Sequence, residues 1–133
     1  MNCEKNIQAT YEIYRLIEAN EYNKAKELCH PDFKFYSSIK TPLNADAFIT
    51  QEKGHMDAFP GFKMRVIETF AKENKVAAYL TFSGVQRKRY LGLQPTHRSV
   101  DFSLIVMLTF KDGKVIENRA HYNGQDIMKQ LGG

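Results

Sequence analysis

The run SVDFSLIVMLTFK, from Ser99 to Lys111, constrains this chain more than any other stretch. Phe102, Leu104, Val106, Leu108 and Phe110 occupy every second position, and Asp101, Ser103, Ile105, Met107 and Thr109 occupy the others. A period of two is the signature of a strand with two unlike faces. Burying the five large apolar side chains contributes about 10 kcal/mol gross, at about 2 kcal/mol each. That fixes the register, because a one-residue slip would turn the apolar set to the other face. Lys111-Asp112-Gly113-Lys114 reads as an Asp-Gly hairpin turn, so Val115 to Asn123 returns antiparallel. Upstream, Val76, Ala78, Leu80 and Phe82 oppose Tyr79, Thr81 and Ser83 within Lys75 to Gln86, and Phe62, Met64 and Val66 alternate with Lys63 and Arg65. The second half of the chain is therefore an antiparallel meander.

The first half has a different period. Ile7, Tyr11, Tyr14 and Ile17 recur at helical spacing between Asn6 and Ala19, and Asn20 breaks the pattern. A short helix follows through Tyr22, Ala25 and Leu28 and ends at His30-Pro31-Asp32, since proline disfavours a helical residue before it. Phe33 to Tyr36 alternates as a short strand, and Lys40-Thr41-Pro42 forms a loop. Asn44 is the expected N-cap of a helix over Ala45 to Asp57, with Leu43 as half of a hydrophobic staple. That helix places Phe48, Gln51, His55 and Phe59 on one side, and Phe59-Pro60-Gly61 ends it. Helices first and sheet second give an α+β fold, with helices on one face of an antiparallel sheet.

One face of that sheet is core. The other carries Tyr79, Ile105 and Met107, which are too apolar for water alone, so a second subunit is expected to cover it. At 133 residues, one domain spanning 1–133 is expected. Nine Phe and seven Tyr supply aromatic bulk in the absence of Trp.

The net charge of +4 is modest and reads as mostly dispersed; its one dense patch is Arg87-Lys88-Arg89. Such a patch attracts phosphate, but three basic residues at a turn do not make a nucleic-acid site. Cys3 and Cys29 lack metal or CxxC spacing, and the four histidines are scattered, so no metal and no cofactor are expected. With no apolar leader or spanning stretch, a cytoplasmic protein with no membrane association is expected.

Glu117, Arg119, His121 and Asn123 stand at every second position of the last strand. Such a face either meets water or lines a pocket. A resemblance bears on the choice. Phe59-Pro60-Gly61, Gly84, Gly92, Pro95-Thr96, Val100, Phe110, Asp112-Gly113-Lys114, Glu117 and Gln130-Leu131-Gly132 follow one another in an order and spacing that resembles the SnoaL-like polyketide cyclases. That family belongs to the nuclear transport factor 2-like superfamily. The resemblance implies a curved sheet, of the cystatin-like roll type, wrapping a cone-shaped cavity closed by the N-terminal helices. It also implies a homodimer through the outer sheet face. The family's cyclases carry aspartates where this chain has Asn123 and Val106, and neither side chain exchanges a proton near neutral pH. Asp126 would stand in for the first of them were the alignment to slip by three residues.

If the last strand faces the cavity as in the family, His121 is the acid/base candidate, with Arg119 and Asn123 polarising oxygen. His55 is a second titratable group over the cavity, and Tyr14, His55, Phe59, Val106 and Leu108 are the expected lining. Tyr11, Tyr36 and Tyr90 are further candidate pocket hydroxyls. Two functions compete: a cofactor-independent isomerase, cyclase or dehydratase acting on a small hydrophobic or aromatic carbonyl compound, and a non-catalytic module that binds such a ligand.

Overall fold

The computed structural model describes residues 2–37, 41–90 and 92–132; Lys40 of the expected loop lies outside them. Five strands make one curved sheet: β1 (Cys29–Tyr36), β2 (Lys63–Lys72), β3 (Lys75–Val85), β4 (Ser99–Lys111) and β5 (Lys114–His121). Their order is β1-β5-β4-β3-β2. The meander β2 to β5 is antiparallel throughout. One correction to the expected antiparallel sheet is that β1 pairs with β5 in parallel. The connection between them is long enough to return the chain in the same direction. A second is that β1 begins at Cys29 and runs through Pro31. Proline is tolerated there because β1 is an edge strand, and its register with β5 is broken between Cys29 and Lys34.

Leu104, Val106, Leu108 and Phe110 are buried on the concave face beside Val76, Ala78, Leu80 and Phe82 of β3. Ile105 and Met107 point the other way and are exposed.

The β4–β5 hairpin decides the fate of the polar C-terminal strand. Asp112 and Gly113 both have positive φ, as the tight turn requires, and Lys111 pairs with Lys114. A regular ladder from that turn would bring Glu117, Arg119 and His121 onto the concave face. The ladder is not regular. Phe110 pairs with Val115, but the next pair is Thr109 with Glu117, so Ile116 is an extra residue in β5. One inserted residue inverts every later side chain. Asn118 and Ala120 are consequently buried, whereas Arg119 and His121 are exposed opposite Met107 and Ile105.

Among the described residues four helices flank the sheet: α1 (Cys3–Glu18), α2 (Tyr22–Glu27), α3 (Ala45–Ala58) and α4 (Gly124–Gln130). α1 starts earlier than its apolar periodicity suggests, because Asn2 caps it by accepting from the Lys5 amide at 3.1 Å. It ends where Asn20 takes φ 63°, with the Asn20 and Glu21 amides donating to the Ile17 and Leu16 carbonyls. α1 lies against β2 and β3, and α3 lies against β1. Asn44 caps α3 through the Ala47 amide at 2.8 Å. Asn123 does not end β5 over a cavity; it caps α4, accepting from the Asp126 amide at 3.1 Å. Gln130 of α4 then brackets Asp101 of β4, accepting from its amide at 2.7 Å and donating to its carbonyl at 2.9 Å.

Candidate functional site

Between the concave face and α1, α3 and α4 lies a narrow pocket of about 50 Å³. Nine aromatic rings line it: Tyr14, Phe35, Phe48, Phe59, Phe62, Phe82, Tyr90, Phe102 and Tyr122. Val100, Leu104, Val106, Ala120 and Ile127 complete the apolar wall, and Gln51, Glu52 and His55 enter from α3. The volume holds a few waters, so a flat ring enters only if side chains of the aromatic wall part.

Of the residues expected to line a cavity, Tyr14, His55, Phe59 and Val106 do so, while Leu108 is fully buried outside the lining. Tyr90 also lines the pocket; Tyr11 and Tyr36 do not. The expected catalytic set lies elsewhere. Arg119 extends outside the pocket, donating to Glu117 at 2.9 Å and stacking over the Tyr36 ring at 4.1 Å. His121 is exposed, and Asn123 is occupied as a helix cap. The bulge at Ile116 is the physical reason, since it turns Arg119 and His121 to the convex face.

The charged group that does reach the pocket is Glu52. It stands one turn from both Phe48 and Met56 on the buried stripe of α3 and is only 5% exposed. Its Oε2 lies 3.5 Å from His55 Nδ1, yet it makes no hydrogen bond to the described residues. Opposite it, Tyr14 is buried and accepts from Asn118 Nδ2 at 3.1 Å, which leaves its own O–H free to donate. Asn118 is fully buried, and its Oδ1 has no partner among the described residues.

Burial raises the ionisation of the Tyr14 phenol well above the ordinary range; the Asn118 hydrogen bond offsets part of this, and the Glu52 charge adds to it. Burial, then Tyr122 and Glu52, do the same to Tyr90, and burial followed by Glu52 raises Tyr122. All three are neutral donors near pH 7, and all three feel the one carboxylate. The site thus offers a carboxylate oxygen without a hydrogen bond among the described residues to accept a proton, and phenols to hold an oxygen on which charge develops. Among the described residues no three His, Cys, Asp or Glu side chains group to hold a metal ion.

The family model for SnoaL-like polyketide cyclases matches residues 7–131. The chain belongs to this family. A search of curated proteins returned no match. Solved SnoaL-like structures share the fold. AclR, a hydroxylase candidate from Streptomyces galilaeus, superposes with a TM-score of 0.89 at 24% identity over 98% of each chain. IdmH, a polyketide cyclase candidate from Streptomyces antibioticus, gives 0.84 at 18% identity over 96% of this chain and 99% of that one. An epoxide hydrolase of the LEH-like type from M. tuberculosis gives 0.76 at 14% identity over 97% and 90%. At these identities the likeness is one of fold. In this SnoaL-like chain, Val106 lies in the pocket wall and Asn123 on a helix cap; these are the two positions that the resemblance sets against aspartates. The ionisable groups reaching the pocket from α3 are instead Glu52 and His55. Sequence reasoning weighed His55 and passed over Glu52, although a glutamate on the Phe48–Met56 stripe is itself a signal, because charge rarely occupies a buried stripe.

Proposed function

We propose that this SnoaL-like protein is a cofactor-independent acid–base enzyme acting on a small, flat, hydrophobic carbonyl compound, in an isomerase, cyclase or dehydratase type of reaction. The observation that carries the reading is Glu52, a buried carboxylate with an oxygen free of hydrogen bonds among the described residues, set among neutral phenols in an aromatic pocket. Glu52 takes a proton from carbon next to the carbonyl. A phenol O–H of Tyr14, Tyr90 or Tyr122 stabilises the enolate oxygen, and Glu52 returns the proton elsewhere on the substrate or to a leaving hydroxyl. His55, at 3.5 Å, orients the carboxylate. The dry aromatic wall strengthens each of these interactions.

A homodimer is part of the proposal. On the convex face Tyr79, Ile105 and Met107 are exposed, with Ile105 at 49%, and a second copy would cover them. Two free cysteines fit a reducing, cytoplasmic setting. No helix among the described residues is long and apolar enough to cross a membrane.

The test is solvent exchange of the acidic carbon-bound hydrogens of small cyclic ketones such as a tetralone, followed by NMR in heavy water. Wild type accelerates exchange, and Glu52→Gln loses about a hundredfold or more of it, the size of a general-base contribution. A pocket that binds these ketones without accelerating exchange would leave the protein as a ligand-binding module.

A further inference from the structure

The positive charge of this chain is not dispersed. The loop from β3 to β4, residues 86–98, contains Arg87, Lys88, Arg89 and Arg98 and no acidic residue. Nineteen Lys and Arg exceed fifteen Asp and Glu by four, so the remainder of the molecule is balanced and this loop holds the whole excess.

The loop is built rather than slack. Gln86 is fully buried beneath it, donating from Nε2 to the carbonyls of Lys88 at 3.0 Å and Leu93 at 3.2 Å. Its Oε1 accepts from the Thr96 hydroxyl at 2.9 Å. The amides of Arg87 and Lys88 both donate to the Ala58 carbonyl at the end of α3, at 2.8 and 3.2 Å. The Arg87 guanidinium lies 3.2 Å from His97 Nδ1. Tyr90 packs edge-on against Phe59 and His55, with centroids 5.0 and 5.4 Å apart, and lines the pocket. The basic triplet therefore flanks the Phe59–Tyr90 wall.

Some cations elsewhere, such as Lys26, Lys53, Arg65 and Arg119, sit within 4.0 Å of carboxylates, while others among the described residues, such as Lys34, Lys63 and Lys129, do not. Among the described residues, Arg87, Lys88 and Arg89 face no such carboxylate. Inside the pocket the charge is reversed: Glu52 is present without Lys or Arg, and an anion placed there would be repelled.

We infer that the ligand is bipartite. Its neutral, flat portion enters the pocket, and an anionic arm, phosphate or carboxylate, stays outside on Arg87, Lys88 and Arg89. This rests on the reading of the pocket as the ligand site and adds the class of substrate.

The test compares naphthyloxybutyl phosphate with naphthyloxybutanol by fluorescence titration, on wild type and on the triple variant Arg87→Gln, Lys88→Gln, Arg89→Gln. Wild type binds the phosphate about tenfold more tightly than the alcohol, as expected for several exposed ion contacts. Added salt erodes that advantage. The triple variant abolishes the advantage and binds the alcohol as wild type does, which shows that its pocket is intact. Equal binding of phosphate and alcohol by wild type, or an advantage that survives in the triple variant, overturns the bipartite ligand and leaves the pocket reading standing. Failure of both compounds to bind overturns the pocket reading together with it.

Discussion

Among the described residues, Tyr14 and Asn118 form the one side-chain pair in which two buried polar groups depend on each other across the core, from α1 to β5. Tyr14→Phe removes the acceptor of Asn118 Nδ2. The amide then keeps two unmet needs, because its Oδ1 already lacks a partner among the described residues. Leaving such a group unsatisfied costs about 1–3 kcal/mol. For a chain of this size each kcal/mol lowers Tm by about 3–5 °C, so a fall of about 3–15 °C is expected. Asn118→Leu preserves volume and strands only the Tyr14 hydroxyl, at about 1 kcal/mol. The double variant removes both polar groups and is expected near wild type. The cycle should therefore show a coupling of about 2–4 kcal/mol in urea unfolding with unchanged m. If the double variant loses the sum of the single losses to within about 0.5 kcal/mol, the two side chains are not mutually dependent and the reasoning fails.

A methyl on Gly84 would stand 2.5 Å from Phe62 Cδ1 and 3.2 Å from Phe59 Cβ, both residues of the pocket wall. Gly84→Ala is expected to cost about 1–3 kcal/mol and to weaken naphthol binding, both readable in one thermal-shift series with and without ligand. The phenols set an alkaline limit. Folded Tyr14, Tyr90 and Tyr122 ionise above their unfolded value, so their stabilisation is complete below the ordinary tyrosine range near 10 and is lost as pH rises through the folded values. Stability should then fall by about 1.4 kcal/mol per pH unit for each of Tyr14 and Tyr90 while it is held neutral, by less for the part-exposed Tyr122, and phenolate absorbance should rise abruptly on unfolding. On the convex face, Ile105→Glu is expected to give monomers in sedimentation, and a dimer that survives the change would contradict a second copy there. Arg119→Ala and His121→Ala are expected to leave the melting temperature and ketone exchange nearly unchanged.

The strands were legible because alternation in β3 and β4 is long enough to force both register and face. The phase of β5 was not. Its parity changes at Val115-Ile116, two adjacent apolar residues, after which Asn118, Ala120 and Tyr122 take the inner positions. A bulge adds no residue type of its own to the sequence, so four alternating polar residues read as one inward face. The parallel edge strand was hidden for a related reason: Pro31 argues against a central strand but not against an edge. Helical spacing put Tyr14, His55 and Phe59 on the inner side of their elements, and the resemblance supplied the cavity they were expected to line. Glu52 was missed because charge beside Gln51 and His55 reads as a solvated face, although its spacing from Phe48 and Met56 puts it on the buried stripe. Asn118 carried no signal, since its worth lies in a partner 104 positions away.

The central claim is that small flat ligands enter on the concave side, at Glu52, and not on the face of Arg119 and His121. Titrating isotopically labelled protein with naphthol, and following backbone and side-chain resonances, tests it directly. The account predicts saturable shifts at Tyr14, Glu52, His55, Tyr90 and Tyr122 with Arg119 and His121 undisturbed; shifts centred on Arg119 and His121, with the aromatic wall silent, would contradict it.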